Sequence, residues 1–258
     1  MEDERVQAEA GGGSLLVEAM LAAAALSRWS LLGESLIGDA EQRARAMVFV
    51  PVVAVVAGIV FALIDRALGR MLGPLARSFV VILLMEIAAG GMDALGIADT
   101  IEAVRLGPRP ASTGLARIGP LGAVGALAWL LAAVYLLSRI VDPAGRSSAL
   151  VMATMLSRWA IVPIGYGLKP LERWGLGIPY EGGITFREFA ASSAVALGLT
   201  MGLYENVGLA VIVAVALAIL GLRLLLSRRV GGVGGYSLAG GMAVCELVTL
   251  AVLAALRV

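Results

Sequence analysis

The sequence predicts an all-α, polytopic integral membrane protein with about seven transmembrane helices and an N-terminal interfacial helix. Three observations carry this expectation. Hydrophobic residues make up 60% of the 258 positions, and the mean hydropathy is +0.93. Charged residues are only 15%, against about 25% in an ordinary soluble domain. The apolar residues also fall in long runs, each close to the roughly 20 residues a helix needs to cross the hydrocarbon core.

The elements follow in chain order. Residues 1–13 are acidic and then glycine-rich (Gly11, Gly12, Gly13), the composition of a disordered tail. Residues 14–258 are expected to form a single helical membrane domain. Within it, residues 14–32 are apolar but carry Glu18 and Arg28, so they read as a helix lying in the interface. Residues 46–64 form an uncharged run with Pro51 near its start. Residues 78–98 form a second, interrupted by Glu86 and Asp93. Residues 118–138 are uncharged. Residues 147–168 contain Arg158. Residues 188–204 and 206–226 are two further spans joined by a tight turn at Glu205-Asn206. Residues 238–256 contain Glu246.

The basic residues orient these spans. One side of the membrane collects most of them, among them Arg43, Arg45, Arg105, Arg109, Arg117, Lys169, Arg173, Arg187, Arg223, Arg228 and Arg229. The other keeps Arg66, Arg70, Arg77, Arg139, Arg146 and Arg257. The first side is therefore expected to be cytoplasmic, as for a multi-pass protein of the cell membrane.

Composition also removes several chemistries. The chain has no histidine and one cysteine, Cys245. Ser-His-Asp and Cys-His mechanisms, intrachain disulfides and Cys/His zinc sites are all excluded. A formal net charge of +1 argues against nucleic acid as a partner. Any metal must take oxygen ligands, which suits magnesium, calcium or manganese.

Ionisable groups inside spans are costly and tend to be functional. Here they are Glu86, Asp93, Arg158 and Glu246. The alternative is structural: Glu86 or Asp93 pairs with Arg158 and holds two helices in register. The most informative stretch is residues 90–102, G-G-M-D-A-L-G-I-A-D-T-I-E. Asp99 and Glu102 are three apart and share a helix face. Two such carboxylates suit magnesium, which often takes one or two plus substrate phosphates; a solvated helix end would look the same. In residues 228–246, R-R-V-G-G-V-G-G-Y-S-L-A-G-G-M-A-V-C-E, glycines precede a helix whose first amides could receive an anion. Ser237 could be its N-cap. Helix packing would also explain these glycines.

The stretch from Gly90 to Ala103 follows, without a gap, the pattern G-G-x-x-x-D-G-L-A-D-T-x-D-G. Further echoes are collinear: Ser27-Arg28, Val50-Pro51, Leu121 to Gly125, Ser157-Arg158-Trp159, Gly175-Leu176-Gly177, and Gly231 to Glu246. In these motifs, across about residues 15–258, the chain resembles the cobalamin synthase family, the adenosylcobinamide-GDP ribazoletransferases. The resemblance implies a magnesium-dependent transfer of α-ribazole, or its 5′-phosphate, onto adenosylcobinamide-GDP. GMP leaves, and adenosylcobalamin or its 5′-phosphate forms. Adenosylcobinamide-GDP, α-ribazole, the lipid bilayer and other cobalamin-assembly enzymes are the implied partners. The implied catalytic residues are Asp99, Glu102 and Glu246, with Asp99 and Glu102 as metal ligands. Arg158, Arg117, Gly231, Gly232, Gly235 and Ser237 would meet the substrate.

The chain also departs from the pattern. The first aspartate of the hallmark falls on Leu95, the third becomes Glu102, and an acid before the G-x-x-G falls on Ile118. In the closing motif, Gly234, Tyr236 and Ala243 replace polar residues, while Glu246 is kept. Asp93 could compensate for Leu95 only if the chain bends at Gly90, Gly91 or Gly96, because on a straight helix it points about 200° away. Two other readings are a catalytically impaired scaffold or corrinoid-binding protein of the same fold, and a small transporter. No internal inverted repeat favours the transporter.

Overall fold

The computed structural model describes residues 45–107, 118–168, 171 and 184–256. The expected tail, the expected interfacial helix and Arg117 lie outside these residues. The helices are α1 (Val50–Leu68), α2 (Pro74–Ala88), α3 (Met92–Leu106), α4 (Pro120–Arg139), α5 (Pro143–Trp159), α6 (Ile161–Gly165), α7 (Phe186–Arg229) and α8 (Gly235–Leu256).

Proline sets several starts. α1, α2, α4 and α5 each carry Pro in the first turn, where the missing N–H would have had no partner anyway. The Asp142 side chain caps α5 by accepting from the Gly145 amide at 2.6 Å. α7 opens on a capping box: Thr185 accepts from the Arg187 amide, and Glu188 reaches back to the Thr185 amide at 3.1 Å.

The protein is a multi-pass membrane protein. Among the described residues five helices are long and apolar enough to cross a bilayer, or six if α2 and α3 count as one broken span. About seven were expected. The difference lies in residues 188–204: they are helical, but the qualifying span of α7 is Tyr204–Arg229. The tight turn expected at Glu205-Asn206 is present. Glu205 has φ 43° and ψ −118°, and a Cβ on Gly208 would lie 2.6 Å from the Thr200 carbonyl oxygen. In a straight helix eight residues would separate these groups by about 12 Å, so the chain doubles back there.

Other boundaries move for identifiable reasons. α1 runs past residue 64 because Asp65 is buried against Arg146 rather than ending the span at water. The expected span 78–98 is bent by 80° between α2 and α3. Gly90 (φ 68°) and Gly91 (φ 74°) make the bend, a conformation open to glycine but disfavoured for other residues. α5 breaks at Ala160 before continuing as α6. Pro163 sits three residues on and has no N–H to give back to the preceding turn.

The Pro143–Gly165 span is the centre of the bundle: 89% of its most apolar 18 residues are buried, against 22% for the Tyr204–Arg229 span. Around it the outer helices expose Leu63, Val124, Leu131 and Leu217, as a lipid-facing surface should. α3 and α8 cross where Gly96 meets Gly240, and a Cβ on Gly240 would lie 2.6 Å from the Gly96 carbonyl oxygen. Small residues are what allow two backbones this close.

Candidate functional site

Two buried polar centres lie along α3. The first is at its start. Arg158 of α5 donates from its two terminal nitrogens to both oxygens of Asp93, at 2.6 and 2.7 Å. Both residues are buried. A bidentate guanidinium–carboxylate pair is the strong form of this contact. Arg158 also lies 3.5 Å from the Met242 sulfur of α8. Glu246 of α8 and Glu86 of α2, both buried, lie within electrostatic range of this pair. One Glu86 oxygen accepts a long bond from the Ala94 amide at 3.5 Å; its other oxygen, Oε1, has no hydrogen-bond partner. Three carboxylates thus surround one guanidinium.

The second centre is further along α3. Glu102 is 1% exposed. Its Oε1 accepts from the Gly122 amide at 3.1 Å, and its Oε2 accepts from Arg105 Nε at 3.0 Å. α4 has no side-chain cap of its own, so Glu102 supplies, from a neighbouring helix, a negative charge and an acceptor for amides with no intrahelical partner. Asp99 is buried on the same face.

These placements sort the expected residues. α3 and α8 run antiparallel: Thr100 faces Gly240, while Ile97 packs with Ala243. Glu246 therefore falls at the level of Asp93. Asp99 is six residues beyond Asp93, about 9 Å along the helix. Glu246 thus joins Asp93 and Arg158, not Asp99 and Glu102, and the three expected catalytic acids do not form one cluster. Among the described residues no group of three His, Cys, Asp or Glu is placed to hold a metal ion. Arg158, expected to neutralise a substrate phosphate, would have to leave Asp93 to reach one.

The glycine-rich turn lies at the end of the bundle toward which Asp99 and Glu102 point, because α8 begins there. Gly231, with φ 82°, closes α7: its amide and that of Val230 both donate to the Leu226 carbonyl at 2.9 Å. The Val233 carbonyl accepts from the Leu171 amide at 2.8 Å. Gly232 and Gly235 are buried and Gly231 is exposed. Ser237 is not the N-cap. The Leu238 amide already donates to the Gly234 carbonyl at 3.0 Å, so the helix starts earlier and Ser237 sits inside its first turn, buried.

Three polar anchors were not anticipated. Arg146 is fully buried, and its guanidinium donates to Asp65 at 2.8 to 3.0 Å, to Ser78 at 2.9 Å and to the Leu137 carbonyl. Arg223 donates to the carbonyls of Pro163, Ile164 and Tyr166, closing the end of α6. Trp129 of α4 donates to the Ala243 carbonyl of α8 at 2.9 Å. The signal for Arg146 was available: an arginine one turn inside a Pro-started helix, with an aspartate at the end of the facing span.

The profile of the cobalamin-5-phosphate synthase family matches residues 18–256. The chain belongs to this family. An adenosylcobinamide-GDP ribazoletransferase of Citrobacter koseri is 31% identical over 223 residues, covering 82% of this chain and 88% of that protein. One of the same description from Roseiflexus sp. is 28% identical over 216 residues, covering 80% and 77%. One from Escherichia coli is 29% identical over 221 residues, covering 82% and 88%. No solved structure matches. Family membership accounts for the order of the motifs along the chain, including the two stretches that meet where α3 and α8 cross.

Proposed function

We propose that this chain joins α-ribazole, or its 5′-phosphate, to adenosylcobinamide-GDP with release of GMP, forming adenosylcobalamin or its 5′-phosphate. The observation that carries this reading is the family match over nearly the whole chain, together with relatives described as adenosylcobinamide-GDP ribazoletransferases. That extent of similarity favours a transferase over a catalytically silent scaffold.

The reaction replaces one phosphate oxygen bond by another. A ribazole oxygen attacks the phosphorus on the cobinamide side, and the bond to the departing GMP breaks. Such chemistry needs positioning and charge neutralisation more than a protein nucleophile, which a chain without histidine can supply. Asp99 and the start of α8 are the groups we assign to it. Gly232, Gly235 and Ser237 would offer backbone and hydroxyl donors to the pyrophosphate, with Gly231 shaping the turn that presents them and Arg117 as a cationic neighbour. Glu102 would hold α4 in place beside Asp99. Glu246 would act from one level deeper, through Arg158.

Magnesium is the metal proposed. Glu102 is engaged by α4 and Arg105, so the described acids do not make a closed cage. Magnesium often takes only one or two carboxylates and fills the rest of its shell with water and phosphate oxygens. Asp99 is the carboxylate on this face that would hold it, and when bound it would neutralise charge on the reacting phosphates. The site would face the cytoplasm of the cell membrane, where the nucleotide-bearing substrate and other cobalamin-assembly enzymes would meet it.

The test uses the purified full chain in detergent with adenosylcobinamide-GDP, α-ribazole and magnesium chloride. GMP is expected to appear in step with adenosylcobalamin, and EDTA is expected to stop it. Absence of GMP with every divalent metal tried, beside an active relative, overturns the reading.

A further inference from the structure

We propose that Asp93 and Arg158 are positioning residues: their buried pair sets the angle of the α2–α3 elbow and so aims the acidic face of α3. The inference rests on the transferase reading for its effect on turnover, though not for its effect on the elbow.

The elbow is weak in itself. Two consecutive glycines in the left-handed region, Gly90 and Gly91, turn the chain by 80°. Across the turn the backbone offers only the Gly90 amide to the Ile87 carbonyl at 3.0 Å and the Gly91 amide to the Glu86 carbonyl at 2.7 Å. α3 has no side-chain cap on Gly91. The nearest substitute is Glu86, reaching the Ala94 amide at 3.5 Å, too long to fix a direction. Glycine pairs are a recognised place for chains to kink, and nothing in these bonds selects 80° over a neighbouring angle.

What selects it lies on either side of a pivot. The Gly96–Gly240 crossing presses α3 onto α8, with Ile97 against Ala243 extending the seam; it sets the spacing of the two helices, while side chains on either side hold the direction of α3. Beyond the pivot, Glu102 ties α3 to α4 through the Gly122 amide. Before the pivot, the fixed point is Asp93, held by two bonds to a guanidinium on the most buried helix of the bundle. A planar guanidinium that holds both oxygens of one carboxylate constrains direction as well as distance. Asp99 sits three residues beyond the Gly96 pivot, about 4.5 Å; a 10° swivel would therefore move it by about 0.8 Å. A displacement of that size can cost roughly a hundredfold in rate.

The experiment separates aim from stability. Removing one partner of a buried pair leaves an uncompensated charge, whereas replacing both by apolar residues is often neutral for folding. The double variant Asp93→Leu/Arg158→Met is therefore made in a Glu86→Gln/Glu246→Gln background, so that no buried acid loses its cation, and is read against that background with the pair intact, with nitroxide labels on cysteines at Phe79 of α2 and Leu106 of α3. Both positions are exposed, and Cys245 is buried. In lipid nanodiscs the pair-intact background is expected to give one narrow label-to-label distance. The double variant is expected to melt within a few degrees of that background, give a broad and longer distance, and lose roughly a hundredfold in kcat with little change in KM.

Gly91→Ala, which strains the turn but keeps the pair, is expected to hold the wild-type distance. If the double variant does not fold, Arg158→Lys is read in its place: it keeps the charge, loses the planar fork, and should broaden the distance in the same direction. A distance distribution in the pair variant that superposes on its pair-intact background overturns the inference, whether or not the chain turns over substrate. A wild-type chain with no turnover, but with a pair-dependent distance, overturns the proposed function and leaves the elbow standing.

Discussion

Glu102 on α3 accepts a hydrogen bond from the Gly122 amide on α4 at 3.1 Å, so an acid that reads as a metal ligand in the sequence caps a neighbouring helix in the fold. Glu102→Ala should leave the α4 amide buried and unpaired, at a cost of about 1–3 kcal/mol. Glu102→Gln keeps an acceptor for Gly122 and loses the charge facing Arg105, which is half-exposed. Thermal unfolding in detergent should therefore rank wild type and Glu102→Gln close together, with Glu102→Ala well below. Equal melting of the two variants would contradict the capping role.

The opposite end of the bundle should be more sensitive. Arg146 is completely buried and makes its ion pair with Asp65. Asp65→Ala should cost about 3–5 kcal/mol, the usual penalty for stranding a buried charge. Arg77, at 3.3 Å from the same aspartate and partly exposed, should matter much less when changed to Ala. Comparing the two melting temperatures checks the ranking.

Glu86→Gln should be tolerated or slightly stabilising. The carboxylate is buried, its Oε1 has no hydrogen-bond partner, and two other acids, Asp93 and Glu246, lie near it. An amide of the same shape keeps the acceptor for the Ala94 amide and removes an unbalanced charge. A fall of several degrees in melting temperature would show that the charge itself holds the cluster together.

Asp99→Asn should separate chemistry from folding. It conserves shape on the face of α3 that points toward the start of α8. GMP release is expected to fall by roughly a hundredfold, the scale of losing one transition-state contact, while the melting temperature stays near wild type.

Gly240→Val should do the opposite. Its Cβ would overlap the Gly96 carbonyl, which lies 2.6 Å from that position. Overpacking of this kind costs about 1–3 kcal/mol, and both the melting temperature and turnover should drop together.

The helical membrane architecture was legible because apolar runs of bilayer length require nothing beyond local composition. The bend at Gly90–Gly91 was legible only as a condition, since a pair of glycines permits a turn without demanding it. Asp65 and Arg146 escaped because each lies at the end of an apolar run, where a charge ordinarily means the start of a loop; only their meeting across two helices makes them interior. Asp99 and Glu102 were visible as a shared face. The engagement of Glu102 by α4 was not, because it depends on where a helix twenty residues away begins. Glu246 was correctly singled out as an intramembrane acid, but the antiparallel register of α3 and α8 sends it to Asp93 rather than to Asp99. The order of the motifs along the chain pointed to the family, and family membership followed from similarity over residues 18–256.

Both buried arginine pairs take their cations from α5, the most enclosed span of the bundle. A lone span with two unpaired arginines would enter lipid at a cost of several kcal/mol. Asp65 and Asp93, the counter-charges, lie on α1 and α3, earlier in the chain. During synthesis the receptors for Arg146 and Arg158 are therefore made before the helix that needs them, so α5 meets both counter-charges as it emerges. Linear order along the polypeptide thus doubles as a schedule for building the bundle.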